Sequence, residues 1–182
     1  MKCLKRFFLP ILLISLSLSL VGCGSRQLEE DVQAYDNLNS YYSDICREYN
    51  NLLNVPYRVF GATEFTNVEG EPAYLLLEAI DNANEEWAKI QSDEFADAKD
   101  AFRIALDDVT FAYGAYYDYC SGMVAVESMP FDPVGTKNAI NGYKQAFLNF
   151  KEYDRRFRND MEYINQTYID LSEQGVFDSV EN

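Results

Sequence analysis

The spacing of apolar and aromatic residues between positions 136 and 174 constrains the fold of this chain more than any other feature. Ten positions recur there in steps of three and four, the spacing of a seam between helices that pack side by side. They are Ile140, Tyr143, Phe147, Phe150, Asp154, Phe157, Met161, Ile164, Tyr168 and Leu171. A helix cannot bury such a seam alone, so the pattern predicts a helical bundle.

The same spacing predicts three earlier helices, over residues 28–53, 72–90 and 93–121. Pro56 follows the first helix, which must end before it because the residue preceding a proline is pushed out of helical geometry. Pro72 occupies the first turn of the second helix, where proline is tolerated. Strand signals are sparse. We therefore expect an all-α fold, an elongated antiparallel bundle.

The number of helices depends on whether residues 72–121 form one helix or two. Ser92, followed by Asp93 and Glu94, is typical of a helix start, with a capping hydroxyl and acids near the positive end of the helix dipole. An unbroken helix would be about 75 Å long, and the first helix, at about 39 Å, could not cover it. We expect a break near Ser92 and four helices; three helices are the alternative.

Two long loops separate these helices. Residues 55–71 contain one proline, two glycines and the run Tyr57-Arg58-Val59-Phe60, which we interpret as an extended piece. Gly122 is expected to stop the third helix, which leaves residues 123–135 as the second loop. Loops of this length commonly bind or cover something.

The N-terminal residues read as an export signal. Lys2, Lys5 and Arg6 precede an apolar stretch, Phe7 to Leu20. That stretch would span about 21 Å as a helix, less than the roughly 30 Å of a bilayer core, which disfavours a permanent membrane-spanning anchor. We exclude the segment from the fold on this basis.

The apolar stretch ends in Leu20-Val21-Gly22-Cys23, which resembles the lipobox of bacterial lipoproteins. In that family the cysteine thiol takes a diacylglyceryl group, the peptide is cleaved just before it, and the new amine is often acylated. The resemblance implies lipidation of Cys23 and stable anchoring, since two acyl chains hold a protein on a membrane where one does not. A plain secretory signal and an uncleaved anchor are the alternatives.

The resemblance also implies a location in the bacterial cell envelope, lipid-anchored on the extracytoplasmic side of a membrane. Because Gly24 rather than aspartate follows the cysteine, the outer membrane is expected if the cell has two. The expected organisation is a signal peptide over residues 1–22, a lipidated tether over 23–27, the bundle over 28–175 and a frayed acidic tail over 176–182.

The charge of the chain excludes several classes of partner. The formal net charge is −15 at pH 7, and it becomes −18 once residues 1–22, with three basic and no acidic residues, are removed. Nucleic-acid binding needs clustered Lys and Arg, so it is not expected. Anionic lipid would repel the body beyond its anchor. The charge either solubilises the surface or attracts cationic ligands.

The composition also argues against catalysis. The chain contains no histidine, which removes Ser–His and Cys–His nucleophiles and His-containing zinc sites. No cysteine pair has metal-binding spacing, and no Gly-rich phosphate loop is present. We therefore expect a non-enzymatic protein with neither metal nor cofactor; an envelope enzyme, such as a glycosidase with a pair of carboxylates, is the weaker alternative.

Asp154 and a tyrosine tract are the candidate contacts for a ligand or partner. Asp154 is the one polar residue of the last seam, where it could hold a ligand or pair with an Arg or a tyrosine hydroxyl from another helix. Tyr113, Tyr116 and Tyr117 could cage a cationic ligand or form an aromatic core.

Cys46 and Cys120 remain after removal of the leader and lipidation of Cys23. In an exported protein they could form a disulfide, or be two separate buried thiols. A basic cluster on the last helix could dock an acidic partner or a phosphate, or pair with nearby acids. The cluster is Lys144, Lys151, Arg155, Arg156 and Arg158.

These observations predict a non-catalytic binding or interaction protein of the cell envelope, with the membrane as one partner through its lipid and an envelope protein as another. Such a protein should expose an apolar patch, with candidates Phe60, Phe65, Met129 and Phe131. The alternative is a solute-binding component that captures a cationic or aromatic small molecule between its helices. It would need an enclosed cavity lined by tyrosines and Asp154.

Overall fold

The structure, a computed structural model, describes residues 5–61, 70–129 and 132–178, with side chains from Arg26 onward. No described residue lies in a strand, and the expectation of an all-α bundle is confirmed. The helices are α1 (Lys5–Leu53), α2 (Tyr57–Phe60), α3 (Pro72–Lys89), α4 (Ala96–Ser128) and α5 (Pro133–Glu173). None of these helices is both long and apolar enough to cross a membrane.

The four long helices alternate in direction. Asp31 in α1 is bonded to Ser92, just after α3, so α1 and α3 are antiparallel. Tyr35 contacts Phe95 at the start of α4, and it also stacks on Phe177, which follows α5. Helix α4 therefore runs parallel to α1, and α5 runs antiparallel to both. This is the up-down-up-down order of a simple four-helix bundle.

Three tyrosines seven residues apart hold α1 against α4 and α5. Tyr35, Tyr42 and Tyr49 are all buried. The Tyr42 ring meets Phe102 of α4 at 5.5 Å and Phe157 of α5 at 5.9 Å, both edge to face. Such ring pairs add about 0.5–1.5 kcal/mol each beyond the area that they bury. The large rings fill the space along this seam, where a simple bundle would use leucine.

The break near Ser92 is confirmed, but its cap is not the one expected. Helix α3 ends at Lys89, and a 3-10 turn over Asp93–Phe95 precedes α4. The Ser92 side chain makes no capping bond to the turn; its hydroxyl instead donates to Asp31. Asp31, which is fully buried, also accepts from the backbone N–H groups of Gln91, at 3.1 Å, and Ser92, at 2.6 Å. A carboxylate on α1 thus stabilises the turn.

The distal end of the bundle differs from the expectation. Helix α4 does not stop at Gly122 but continues to Ser128. A Cβ at Gly122 would lie 2.6 Å from the Cβ of Tyr143, so the glycine permits close packing of α4 on α5 rather than a helix end. The expected loop over residues 123–135 is therefore mostly helical.

Helix α5 begins three residues earlier than expected, because Asp132 provides a cap. Its side chain accepts a hydrogen bond from Val134 N–H at 3.1 Å, and Pro133 takes the first helical position. At the other end Gly175, with φ of +70°, ends the helix as predicted.

The described parts of the tail and of the first loop differ from the expectation; residues 62–69 of that loop lie outside the described residues. Val176 is buried and Phe177 stacks on Tyr168, so these tail residues do not fray; residues 179–182 lie outside the described part. The run Tyr57–Phe60 is one turn of helix, α2, rather than an extended piece. Helix α1 starts at Lys5, inside the expected leader, rather than near residue 28.

Candidate functional site

Asp154 joins two helices of the bundle. Its carboxylate accepts a hydrogen bond from the Tyr49 hydroxyl of α1 at 3.1 Å, and Arg158, one turn along α5, donates to both of its oxygens at 3.1 Å. Burial and the adjacent carboxylate both raise the pKa of Tyr49, which keeps its hydroxyl protonated as a donor. Asp154 therefore takes the interhelical pairing that was the alternative to a ligand contact.

The tyrosine tract of α4 surrounds a side chain of the same protein. Phe60 of α2 is fully buried among Tyr113, Tyr116 and Tyr117, with ring centroids at 6.1, 5.4 and 5.5 Å. Burial raises the pKa of Tyr113 to about 12, so its hydroxyl stays neutral. The three tyrosines thus form an aromatic core around Phe60, and the space expected for a cationic ligand is filled.

Cys46 and Cys120 are both free thiols rather than a disulfide, and of the two only Cys120 is buried, whereas Cys46 is half-buried. Cys46 lies beside Tyr42 on α1, within the electrostatic reach of Arg158. Cys120 is buried on α4, and its backbone lies against Gly61 at the end of α2. Burial raises the pKa of Cys120 to about 11, so it remains a neutral thiol.

Four of the five residues of the basic cluster of α5 contact other groups of the molecule, and Lys144 is exposed without an ion pair among the described residues. Arg155 pairs with Glu152 at 2.9 Å, and Lys151 lies over the Phe147 ring at 5.8 Å. Arg158 pairs with Asp154, as described above, and Arg156 reaches across to α4. These three arginines therefore pair with nearby acids, which was the expected alternative to docking an acidic partner or a phosphate.

A pair of carboxyl groups between α4 and α5, one buried and one half-buried, was not foreseen. Asp108 is buried and accepts from Arg156 Nε at 2.9 Å, and Asp160 faces it from α5. The Asp160 Oδ2 atom is buried without a hydrogen bond from any described residue. Burial and the charge of Asp108 raise the pKa of Asp160 to about 6, although Arg156 opposes the shift. The run Asp107-Asp108 gave no sign of which acid turns inward.

Two of the four candidates for an apolar patch on a loop or a helix face lie among the described residues. Phe60 is buried and Met129 is exposed, whereas Phe65 and Phe131 lie outside the described residues. Large exposed apolar side chains also occur on the long helices. Phe111 of α4 is 54% exposed, although a phenylalanine in a packed bundle is usually covered.

Phe111 lies at one end of an open groove along the outer side of α4 and α5. The groove has a volume of about 750 Å³ and runs from Thr110 to Ala125 on α4, about 22 Å or four helical turns. The rings of Phe111 and Tyr153 close one end, with centroids 5.2 Å apart. Beyond these two rings the groove is lined by Tyr143 and by residues that are small or polar. The small or polar residues are Gly114, Ala115, Asp118, Gly122, Ala139, Gly142, Gln145, Ala146 and Asn149.

A second seam on α5 indicates this groove in the sequence, but only the first seam was used to predict the bundle. Ala139, Gly142, Ala146, Asn149 and Tyr153 recur on α5 in steps of three and four, as a second seam beside the first. Small residues at these positions leave a depression because none of the described helices covers them. We call this feature the α4–α5 groove.

A second hollow lies between α1 and α3 near the start of the bundle, with a volume of about 800 Å³. Polar side chains dominate its walls, and no tyrosine lines it. Its buried acid, Glu86, already accepts from Lys89 at 2.6 Å and from Asn37 at 3.4 Å. Neither hollow matches the enclosed tyrosine-lined cavity that a solute-binding component would need.

The described residues contain no cluster of three or more acidic, Cys or His side chains suited to hold a metal ion. No protein-family model matches the chain, and comparison with curated proteins and with solved structures finds no similar protein. What the chain does must therefore be argued from its own surface.

Proposed function

We propose that this protein is a lipid-anchored, non-catalytic interaction protein of the bacterial cell envelope, and that the α4–α5 groove is its docking surface. One observation carries the proposal: an open groove with a half-exposed phenylalanine runs for about four turns along the outside of the bundle. An exposed aromatic side chain beside an open groove of small residues is a surface that a partner can cover.

The interior of the bundle offers less for a function. Asp154, the tyrosine tract and the arginines of α5 all have partners within the chain. Groups that are already paired must be separated before they can bind anything else, and that separation costs free energy. Binding at an open outer surface carries no such cost.

The position of the groove suits a protein held at one end. Lipidation at Cys23, about two helical turns before Asp31 on α1, would place the membrane near the turn that precedes α4. Helix α4 rises about 50 Å from that turn, and the groove occupies its distal half. The acidic body is repelled by anionic lipid, which favours an upright orientation. A partner protein would bind the groove at a distance from the bilayer surface.

Site-specific photo-crosslinking in intact cells tests the proposal. A photoreactive amino acid would replace Phe111 in the groove or, as a control, the exposed Glu85 on α3. We expect a discrete crosslinked species from position 111 that position 85 does not give, to be identified by mass spectrometry. Absence of an adduct at position 111, or the same adducts at both positions, would contradict the proposed docking surface.

A further inference from the structure

We infer that Arg156 is a switch that responds to the protonation of Asp160. When Asp160 loses its proton, the Arg156 guanidinium moves toward it and away from the ring of Tyr153. That ring and Phe111 close one end of the α4–α5 groove, so the movement loosens the closed end. The switch lies in the packing of α4 on α5 and goes beyond the proposed function, on which it does not depend.

Arg156 lies between the carboxyl pair and the closed end of the groove. Its Nε donates to Asp108 Oδ2 on α4 at 2.9 Å, and its guanidinium carbon lies 5.5 Å from the centroid of the Tyr153 ring. The Tyr153 ring is in turn 5.2 Å from that of Phe111. The Arg156 side chain is 47% exposed, which leaves its guanidinium room to move on the solvent side.

Asp160 competes with Tyr153 for this guanidinium. On α5, Tyr153 lies about one turn before Arg156 and Asp160 about one turn after it. Side chains three or four residues apart are neighbours on a helix, so Arg156 reaches either of them. The two are about 10.5 Å apart along the helix axis, so a guanidinium that moves toward Asp160 leaves the Tyr153 ring.

The arrangement in the structure is that of a protonated Asp160. Its Oδ2 atom is buried and accepts no hydrogen bond from a described residue, while Arg156 pairs with Asp108. A buried carboxylate without hydrogen bonds is costly, whereas a protonated carboxyl is tolerated and has a proton to donate to Asp108. Loss of that proton removes the reason for Arg156 to stay where it is.

Among the described groups that face Asp160, Arg156 is the one cation. The others are Asp108 from α4 and Tyr42 from α1, with Cys46 beside Tyr42. Burial raises the pKa of both Tyr42 and Cys46, so both stay neutral when Asp160 titrates. Burial and the charge of Asp108 raise the pKa of Asp160 to about 6. Above that pH two carboxylates share one guanidinium.

The ionised Asp160 attracts Arg156 more strongly than Tyr153 does. A charge-assisted hydrogen bond between a guanidinium and a carboxylate is stronger than the attraction of an exposed guanidinium for an aromatic ring. Asp108 faces both Arg156 and Asp160, so the guanidinium stays near Asp108 as it moves. The Tyr153 ring loses its cover, and the closed end of the groove loosens above about pH 6.

Fluorine NMR of the full-length lipoprotein in detergent micelles tests this switch. Trifluoromethyl-phenylalanine replaces Phe111, and its fluorine signal reports the position of the Tyr153 ring. We expect the signal to shift between two values as the pH is raised, with a midpoint of about 6. Asp160→Asn cannot ionise and should keep the low-pH signal throughout, whereas Asp107→Asn, at an exposed position, should retain the transition.

Two further signals assign the movement to Arg156. Its Nε–H resonance, identified by its loss in Arg156→Lys, should shift with the same midpoint as the fluorine signal. The same fluorinated residue at position 85, which is exposed on α3, is the control and should show no transition near pH 6. Circular dichroism establishes that each variant is folded.

Absence of a fluorine transition at position 111 would overturn the inference. A transition that persists in Asp160→Asn would overturn it as well, because another group would then control the rings. So would an unchanged Arg156 resonance, or the same transition at position 85, which would mean that the whole bundle changes. Crosslinking from position 111 is measured separately, so failure of the switch and failure of the docking surface are distinguishable.

Discussion

Buried acids in this bundle have two different environments, and the difference sets how each responds to pH. Burial opposes the charge of Asp31, but hydrogen bonds from Ser92, Gln27 and Gln91 outweigh it and lower the pKa of its carboxyl. Asp160 lacks such donors and faces Asp108, so its pKa is raised. Asp31 thus stabilises the fold as an anion, whereas Asp160 is better tolerated when it carries a proton.

The raised pKa of Asp160 predicts that replacing it with asparagine stabilises the protein at neutral pH. A carboxyl whose pKa is higher in the folded state contributes stability at low pH that is lost as pH rises, here between about 4 and 6. The full shift in the pKa of Asp160 corresponds to about 3 kcal/mol of free energy. Partial solvent exposure of Asp160 reduces this free energy. Asp160→Asn should therefore raise the free energy of unfolding at pH 7.5 by about 1–2 kcal/mol.

Urea unfolding at pH 4.5 and 7.5 measures this effect. The groups that face Asp160 are Asp108, Arg156 and Tyr42, and the variant leaves all three in place. Asp107→Asn, at the exposed neighbour of Asp108, is the control and should not alter the pH dependence. An equal effect of both substitutions, or a loss of stability in Asp160→Asn at pH 7.5, would count against the carboxyl pair.

At the scale of the elements, the seam spacing predicted the helices well and their ends less well. Gly122 and Gly175 look alike in sequence, since each follows a long apolar seam. Gly175 ends its helix with a positive φ, whereas Gly122 remains helical because Tyr143 lies against it. A contact between distant segments made the difference, and periodicity within one segment contains no information on it.

The same limit applies to the candidate site. The pairing of Asp154 with a tyrosine hydroxyl or an arginine was foreseen as the alternative to a ligand, because a polar break in an apolar seam needs a partner. The burial of Phe60 among the tyrosines of α4 was not foreseen, since it depends on how the loop after α1 folds back. The groove escaped notice because small residues carry a weak apolar signal.

The two kinds of helix glycine predict opposite effects of alanine. Gly122→Ala places a Cβ 2.6 Å from that of Tyr143, and the overpacking should lower the free energy of unfolding by about 1–3 kcal/mol. Gly114→Ala meets open space and should raise it by up to about 1 kcal/mol through helix propensity. Thermal unfolding of the two variants compares them directly. Stabilisation by Gly122→Ala would contradict the close packing of α4 on α5.

At the scale of the whole molecule, the proposed anchor lies at one end of the bundle and the α4–α5 groove lies in its distal half.

The proposed anchor predicts the behaviour of Cys23→Ala. Without the thiol there is no lipid attachment, so the protein should leave the membrane fraction or retain its leader. Fractionation and mass spectrometry of the N-terminus measure both. An unmodified cysteine in the parent protein, or unchanged membrane retention of a variant that has lost its leader, would contradict lipidation.

Cysteine labelling in cells tests the central claim, an extracytoplasmic bundle whose α4–α5 groove is occupied by a partner. A maleimide that does not cross the cytoplasmic membrane would be applied to Gly114→Cys and, as a control, to Glu85→Cys, with the parent chain as the blank for Cys46 and Cys120. The account predicts that both positions react in the purified protein, whereas in intact cells position 85 reacts as fast and position 114 at least tenfold more slowly. Equal reaction at the two positions in intact cells, or none at position 85, would contradict it.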